Sequence, residues 1–183
     1  MRVTLINFWH RSGMLHYTIH LANALAWCDD VDVTVILPRG ISTHHFRPHV
    51  HVYHVDVITS ISLRSLLRLP VQLAKIPSLV SLIRSTQPDI IHTNSSHPWF
   101  ICIQKYLARR YPVVTTLHDV IPHIGTDNTL RKRVERKVQV KCSRRIFVHG
   151  ESLKQKVRQQ FPAIPDEHII SIPLGSFAAF SEE

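Results

Sequence analysis

Val113-Val114-Thr115-Thr116-Leu117-His118-Asp119 is the stretch that decides the fold. Four β-branched residues and a leucine run together and then break on a polar pair. A run like this suits a strand covered on both faces. Helical periodicity lies on either side of it, over Trp99 to Arg110 and over the strongly basic Thr129 to Lys141.

Working outward, the pattern repeats. Ile90 to Thr93 reads as a short buried strand after Pro88-Asp89. Arg145 to His149 reads as a strand, Ser152 to Phe161 as a helix and Ile169 to Ile172 as a last strand. Toward the N-terminus, Val3 to Phe8 reads as a buried strand. Met14 to Trp27 repeats Leu15, Ile19, Ala22, Leu25 and Ala26 at helical spacing. Val31 to Leu37 is β-branched and closed by Pro38. Val50 to Val55 alternates valines with His51 and His54. Ser62 to Arg84 is helical in period, and Pro70 and Pro77 predict a broken or kinked pair of helices. Strand and helix in alternation imply right-handed crossovers and a parallel sheet. The expected fold is α/β: a single Rossmann-like, doubly wound, mainly parallel sheet with helices on both faces.

The 183 residues suit one domain with a real core. Hydrophobic residues make up 44% and charged residues 19%, which is a globular balance. Lys plus Arg outnumber Asp plus Glu by 22 to 13, a formal charge of +9 that favours an anionic partner. Nucleic acid is set aside, because no binding motif or aromatic stacking platform accompanies the charge. Cys28, Cys102 and Cys142 are far apart and form no CxxC pair. They predict a reducing compartment, with each thiol packed as a small buried hydrophobe. The opening apolar run is too short for a signal peptide, and no window approaches the ~20 apolar residues of a membrane span. The expected location is cytoplasmic, peripheral on the inner face of the membrane. The contact would run through the cations of residues 131–145, including Arg131 and Arg145. Val134, Val138 and Val140 would form that helix's narrow apolar side, and the Leu63 to Leu82 stretch reads as ordinary core packing.

In such sheets the ligand lies beyond the carboxyl ends of the strands. Those ends carry Arg11 and Gly13, then Asn94, Ser95, Ser96 and His97, then His118 and Asp119, then Glu151, and last Gly175. The set is polar and rich in histidine, as a site for a hydroxyl-rich ligand requires. A dinucleotide fingerprint is missing, since the first loop offers Gly13 alone, and no P-loop occurs. Gly13 precedes a helix, where backbone N–H groups favour an anion. His118 ends a strand, where an imidazole can hydrogen-bond a sugar hydroxyl or act as a base. His49 and His51 share a strand face, but no Cys or carboxylate cluster joins them, so no metal site is expected.

The ordered motifs resemble the N-terminal, acceptor-side domain of the GT-B fold in family-four-like retaining glycosyltransferases. The marks are Gly13 before a helix ending Leu21-Ala22-Asn23-Ala24-Leu25, then Pro88 to Asn94, Val113 to Asp119, Arg145 to Lys154 and Ile172-Pro173-Leu174-Gly175. The resemblance covers nearly the whole chain. It implies residues 1–175 as the acceptor-binding domain and 176–183 as the start of a connection. It implies further that the C-terminal donor domain is absent from this chain. It implies transfer of a sugar from a nucleotide-sugar co-substrate to a saccharide or lipid-linked acceptor. It further implies retention of configuration, no cofactor and no activity without the donor half. His118 would face the transferred sugar and act as the catalytic residue. Gly13 would face the donor phosphates. Arg11, Asn94, Ser95, Ser96, His97 and Asp119 would line the acceptor side, and Glu151 and Gly175 the interdomain cleft. The first loop has one glycine where the family often has two. The alternative is a non-catalytic, membrane-associated partner subunit of a split transferase.

Overall fold

The computed structural model describes residues 1–9, 13–57, 69–94, 97–119 and 130–173. The strands are β1 (Arg2–Ile6), β2 (Asp32–Pro38), β3 (Val50–Val55), β4 (Ile90–Thr93), β5 (Val113–Leu117), β6 (Arg145–His149) and β7 (Ile169–Ile172). The helices between them are α1 (Gly13–Leu25), α2 (Leu69–Leu73), α3 (Ile76–Ser85), α4 (Pro98–Ala108), α5 (Leu130–Lys141) and α6 (Glu151–Gln160). The 3-10 turn Asp166–His168 leads into β7.

The seven strands form one sheet in the order β3-β2-β1-β4-β5-β6-β7. Every pairing is parallel. The chain winds outward from β1 to β3, then returns to place β4 on the other side of β1. The order therefore reverses between β1 and β4, and in open parallel sheets ligands bind beyond the carboxyl ends at such a point. Arg2 anchors the other end of this pair. Its backbone N–H donates to Asp89 Oδ2 at 2.7 Å, and the Asp89 N–H donates to the Arg2 carbonyl at 2.8 Å. The Arg2 N–H, helped by the Arg2 guanidinium, holds the Asp89 carboxyl below the usual carboxylate range.

The apolar side chains of β1 divide between the two faces with a period of two. Val3 and Leu5 pack with Ile19 and Ala22 of α1, while Ile6 packs with Leu79 and Ile83 of α3 and Phe100 and Leu107 of α4. A third cluster joins Leu117, Ile146 and Val148 to Val140 of α5 and Val157 of α6. Each fully buried Ile or Leu contributes ~1.5–3 kcal/mol.

The expected kinked pair appears as α2 and α3, with Pro77 placed in the first helical turn where its missing N–H costs nothing. Residues 58–68, the first part of the Leu-rich stretch, lie outside the described residues. β1 ends two residues earlier than expected, at Ile6, although the Asn7 N–H still donates to the Ile36 carbonyl of β2 at 3.1 Å. Two further expectations need correction. None of the three cysteines is buried: Cys28 and Cys102 are exposed and Cys142 is half-buried. Their helices and turns bring other residues inward. The apolar side of α5 also differs. Val134 is 50% exposed, while Glu135 and Gln139 turn inward beside Val140. Hydrogen bonds hold Gln139 there: its amide donates to Thr115 Oγ1 at 2.6 Å, and its carbonyl accepts from Gln104 Nε2 at 3.2 Å.

Gly150 begins α6 at φ 92° and ψ 155°, a conformation open almost only to glycine. A Cβ there would meet nothing within 4 Å, so any penalty is purely one of backbone. Gly150→Ala should lower stability by about 1–3 kcal/mol in chemical denaturation. Unchanged stability would mean that the chain can start α6 in another way.

Candidate functional site

Two groups of side chains meet on the rim formed by the carboxyl ends of the strands. The first lies at the β1/β4 switch point. Asn7 is fully buried just after β1, and its Oδ1 accepts the Trp9 N–H at 3.1 Å. His97, 2% exposed, stands edge-on to Phe8 and Trp9 with ring centroids at 5.5 and 5.3 Å. Asn94, 4% exposed, donates through Nδ2 to the Met14 carbonyl at 3.0 Å and to Thr18 Oγ1. Both partners belong to α1, so this amide ties the first turn of the helix to the end of β4. The amide's orientation follows from chemistry, since the carbonyl of Met14 can only accept. Its Oδ1 is then a buried acceptor with no partner among the described residues.

The second group lies over β5 and β6. His118 follows β5 directly, and its ring packs edge-on against Tyr17 of α1 at 4.7 Å. His149, the last residue of β6, lies 5.2 Å from His118 and 5.3 Å from Tyr17. Beneath them His92 is fully enclosed, its Nε2 hydrogen-bonded to Thr116 Oγ1 at 2.8 Å. The Tyr17 hydroxyl reaches the same Thr116 Oγ1 at 3.4 Å.

The electrostatics follow from this crowding. Burial pushes His118 down to about 4, with His149 adding to the shift and the Asp119 carboxylate opposing it. Burial and the neighbouring His118 bring His92 to about 4 as well. His149 is lowered by burial, although the backbone of Ile172 and Pro173 favours its proton. Neither His149 ring nitrogen meets normal hydrogen-bond geometry with that backbone. Burial also raises the Tyr17 phenol. At neutral pH His92 and His118 are therefore uncharged, and the shift at His149 runs the same way. His118 Nε2 is buried and makes no hydrogen bond among the described residues. A neutral imidazole with an unused ring nitrogen can donate to or accept from a hydroxyl. With its pKa near 4 it is a weak base at pH 7.

Gly13 opens α1 and is exposed, and a Cβ on it would meet nothing within 4 Å. Packing does not require glycine here, and the backbone of the first turn is accessible from outside. Glu151 is exposed in the first turn of α6. Arg11, Ser95, Ser96 and Gly175 lie outside the described residues. Of the other expected residues, Asn94 and His97 share the switch point, and His118 and Asp119 stand on the β5 side of the rim.

The residues not foreseen as site members are Tyr17 and His149. The strand-end rule that selects His118 also selects His149. Tyr17 sits mid-helix, and no sequence signal marks its contact with two imidazoles. His51 Nε2 lies 3.6 Å from Asp32 Oδ1 on an exposed edge. Among the described residues, no group of three or more His, Cys, Asp or Glu side chains is arranged to hold a metal ion.

The model of the family described as Glycosyltransferase Family 4 matches residues 11–175. This chain belongs to that family. No curated protein sequence matches it. Among solved structures, the family-4 domain is similar to sucrose-phosphate synthase from Thermosynechococcus elongatus. The identity is 14% and the TM-score 0.70, over 96% of this chain and 48% of that one. It is also similar to the UDP-GlcNAc 2-epimerase of Neisseria meningitidis, determined with UDP-GlcNAc bound. There the identity is 13% and the TM-score 0.65, over 93% of this chain and 45% of that one. UGT2 of Phytolacca americana, complexed with UDP-2-fluoro-glucose and pterostilbene, matches at 12% identity and a TM-score of 0.57. That match covers 96% of this chain and 54% of the other. The family-4 domain thus spans about half the length of these proteins. At such identities the likeness is one of fold. The family and the parallel Rossmann-like sheet agree with the resemblance drawn from the motifs.

Proposed function

We propose that this family-4 domain is the acceptor-binding half of a glycosyltransferase that moves a sugar from a nucleotide-sugar to a saccharide or lipid-linked acceptor. The reading extends to retention of anomeric configuration and to inactivity without a donor-binding domain. The observation that carries it is the neutral His118, whose Nε2 has no hydrogen-bond partner among the described residues, at the rim of a family-4 sheet. A ring nitrogen in that state suits a hydrogen bond to a hydroxyl of the transferred sugar. Since burial makes it a weak base, its role is to orient the sugar and stabilise charge developing on it. The open first turn of α1 at Gly13 suits the approach of donor phosphates. Asn94 fixes that turn in place, and Asp119 stands next to His118 for contact with the acceptor. Arg11, Ser95, Ser96 and His97 complete the acceptor side in this reading, with Glu151 and Gly175 facing the partner domain.

Among the described residues no helix is long and apolar enough to cross a membrane. The reading places the domain at the cytoplasmic face of a membrane, where a lipid-linked acceptor would lie.

The test joins this chain to its candidate donor half and follows nucleotide-sugar binding by calorimetry alongside turnover. Binding and turnover only with both halves support the reading. Tight nucleotide binding by this chain alone would place the donor site here and overturn it. In the joined enzyme, His118→Ala should cut turnover at least about tenfold while the protein stays folded. Near-normal turnover in a folded variant would remove His118 from the chemistry.

A further inference from the structure

At the opposite end of the strands, where β5 and β6 begin, the surface is concave. A groove of about 980 Å³ runs between the last turns of α4 and α5. Lys105, Arg109, Arg110, Lys137, Lys141 and Arg144 line it, and no carboxylate does. Its floor is apolar, formed by Ala108, Pro112, Val113 and Val138.

One ordinary reason for cations here is the negative end of a helix dipole, which a residue or two in the last turn can offset. Six exceed that need. They do not offset one another's charge, and none forms an ion pair with a carboxylate among the described residues. Arg110 is the only one of the six stacked on a ring, with its guanidinium 4.0 Å from the Tyr106 centroid. Elsewhere Arg2, Lys75, Lys154 and Arg158 sit within 4 Å of an aspartate, while Arg84 and Lys156 form no ion pair among the described residues, so what sets the groove apart is six cations on one concave surface. Six cations lining one groove give it a positive potential, and an anion entering it has several charged donors to draw on. The concavity admits a compact group surrounded by cations. The shared arrangement of arginine forks and lysine ammonium groups is the chemistry that recognises phosphate.

We infer that this groove is an anion-binding site for a phosphoryl group of high charge, separate from the sugar-transfer rim. The inference does not depend on the transferase reading, because the two lie at opposite ends of the strands. The phosphoryl group can come from a soluble phosphate or from the headgroup of an anionic lipid.

The experiment uses the whole chain and two probes. Inorganic pyrophosphate is titrated by calorimetry. Phosphatidylcholine vesicles with and without phosphatidylserine are tested by sedimentation. The groove is altered by K137E/K141E. A control variant, R84E/K156E, makes the same change in net charge at exposed positions outside the groove. Circular dichroism verifies that both remain folded. The groove variant should bind at least about tenfold more weakly than the control. Loss of pyrophosphate binding in the groove variant alone identifies a soluble phosphate. Loss confined to the phosphatidylserine vesicles identifies a headgroup. If the native chain binds neither probe, or if both variants lose binding equally, the groove is not a site and the inference falls.

Discussion

Lowering the pH from 7 to 5 should cost the fold about 2 kcal/mol through His92 alone. In the folded chain His92 is enclosed, held by Thr116 Oγ1, and brought to about 4. In the unfolded chain it titrates near 6.5. The unfolded state therefore takes up a proton between these values while the folded state does not. Stability is complete above the unfolded value, declines as pH falls from about 6.5 toward 4, and levels off below. His118, also brought to about 4, acts in the same direction. His149 shares the sign. Urea denaturation at pH 7, 6 and 5 measures the slope. His92→Gln keeps a hydrogen-bonding group near Thr116 but does not titrate, so it should flatten the profile. Equal stability of the native chain at pH 7 and pH 5 would show that the cluster is not held neutral.

The second large effect is expected at Asn94. Asn94→Asp removes the two donors that face the Met14 carbonyl and Thr18 Oγ1, and substitutes a carboxylate in a position only 4% exposed. The carboxylate would point at a carbonyl oxygen, and the groups that amide bonds among the described residues include no cation. The expected loss is about 3 kcal/mol or more at neutral pH. Protonation of the new carboxyl should recover part of this at lower pH, opposite in sign to the histidine effect. Asn94→Ala, which leaves no buried charge, should cost about 1–2 kcal/mol. Thermal and urea denaturation of the two variants separate these cases. An Asn94→Asp chain as stable as the native one would show that α1 is not fastened to β4 through this amide.

Much of the fold was legible in local pattern. β4, β5, β6 and β7 fall where Ile90 to Thr93, Val113 to Leu117, Arg145 to His149 and Ile169 to Ile172 predict them. Each is a short apolar or β-branched run between polar breaks. Periodicity was less informative about α5. The face it buries is chosen by hydrogen bonds from Gln139 to β5 and from Gln104 of α4, which are contacts between distant segments. The cysteines illustrate the same limit: how often a residue type is buried does not say which way one helix turns. The strand-end rule reached His118 and Asp119 because a parallel sheet sends every strand's end to one rim. It did not reach Tyr17, whose position depends on how α1 crosses that rim. The cationic groove was visible in sequence only as the basic run of α5. Lys105, Arg109 and Arg110 join it from α4 and the turn after it, through packing that no linear pattern records.

The uniform direction of the seven strands has an evolutionary consequence. Apart from the helix-free link between β2 and β3, each connection over the rim starts from a fixed strand and leads to a fixed helix, so its length and composition can change without disturbing the interior. New substrate preferences can then arise by loop replacement and gradual drift, with the sheet inherited intact. Innovation at one end of the strands is thereby uncoupled from whatever the other end has been selected to hold.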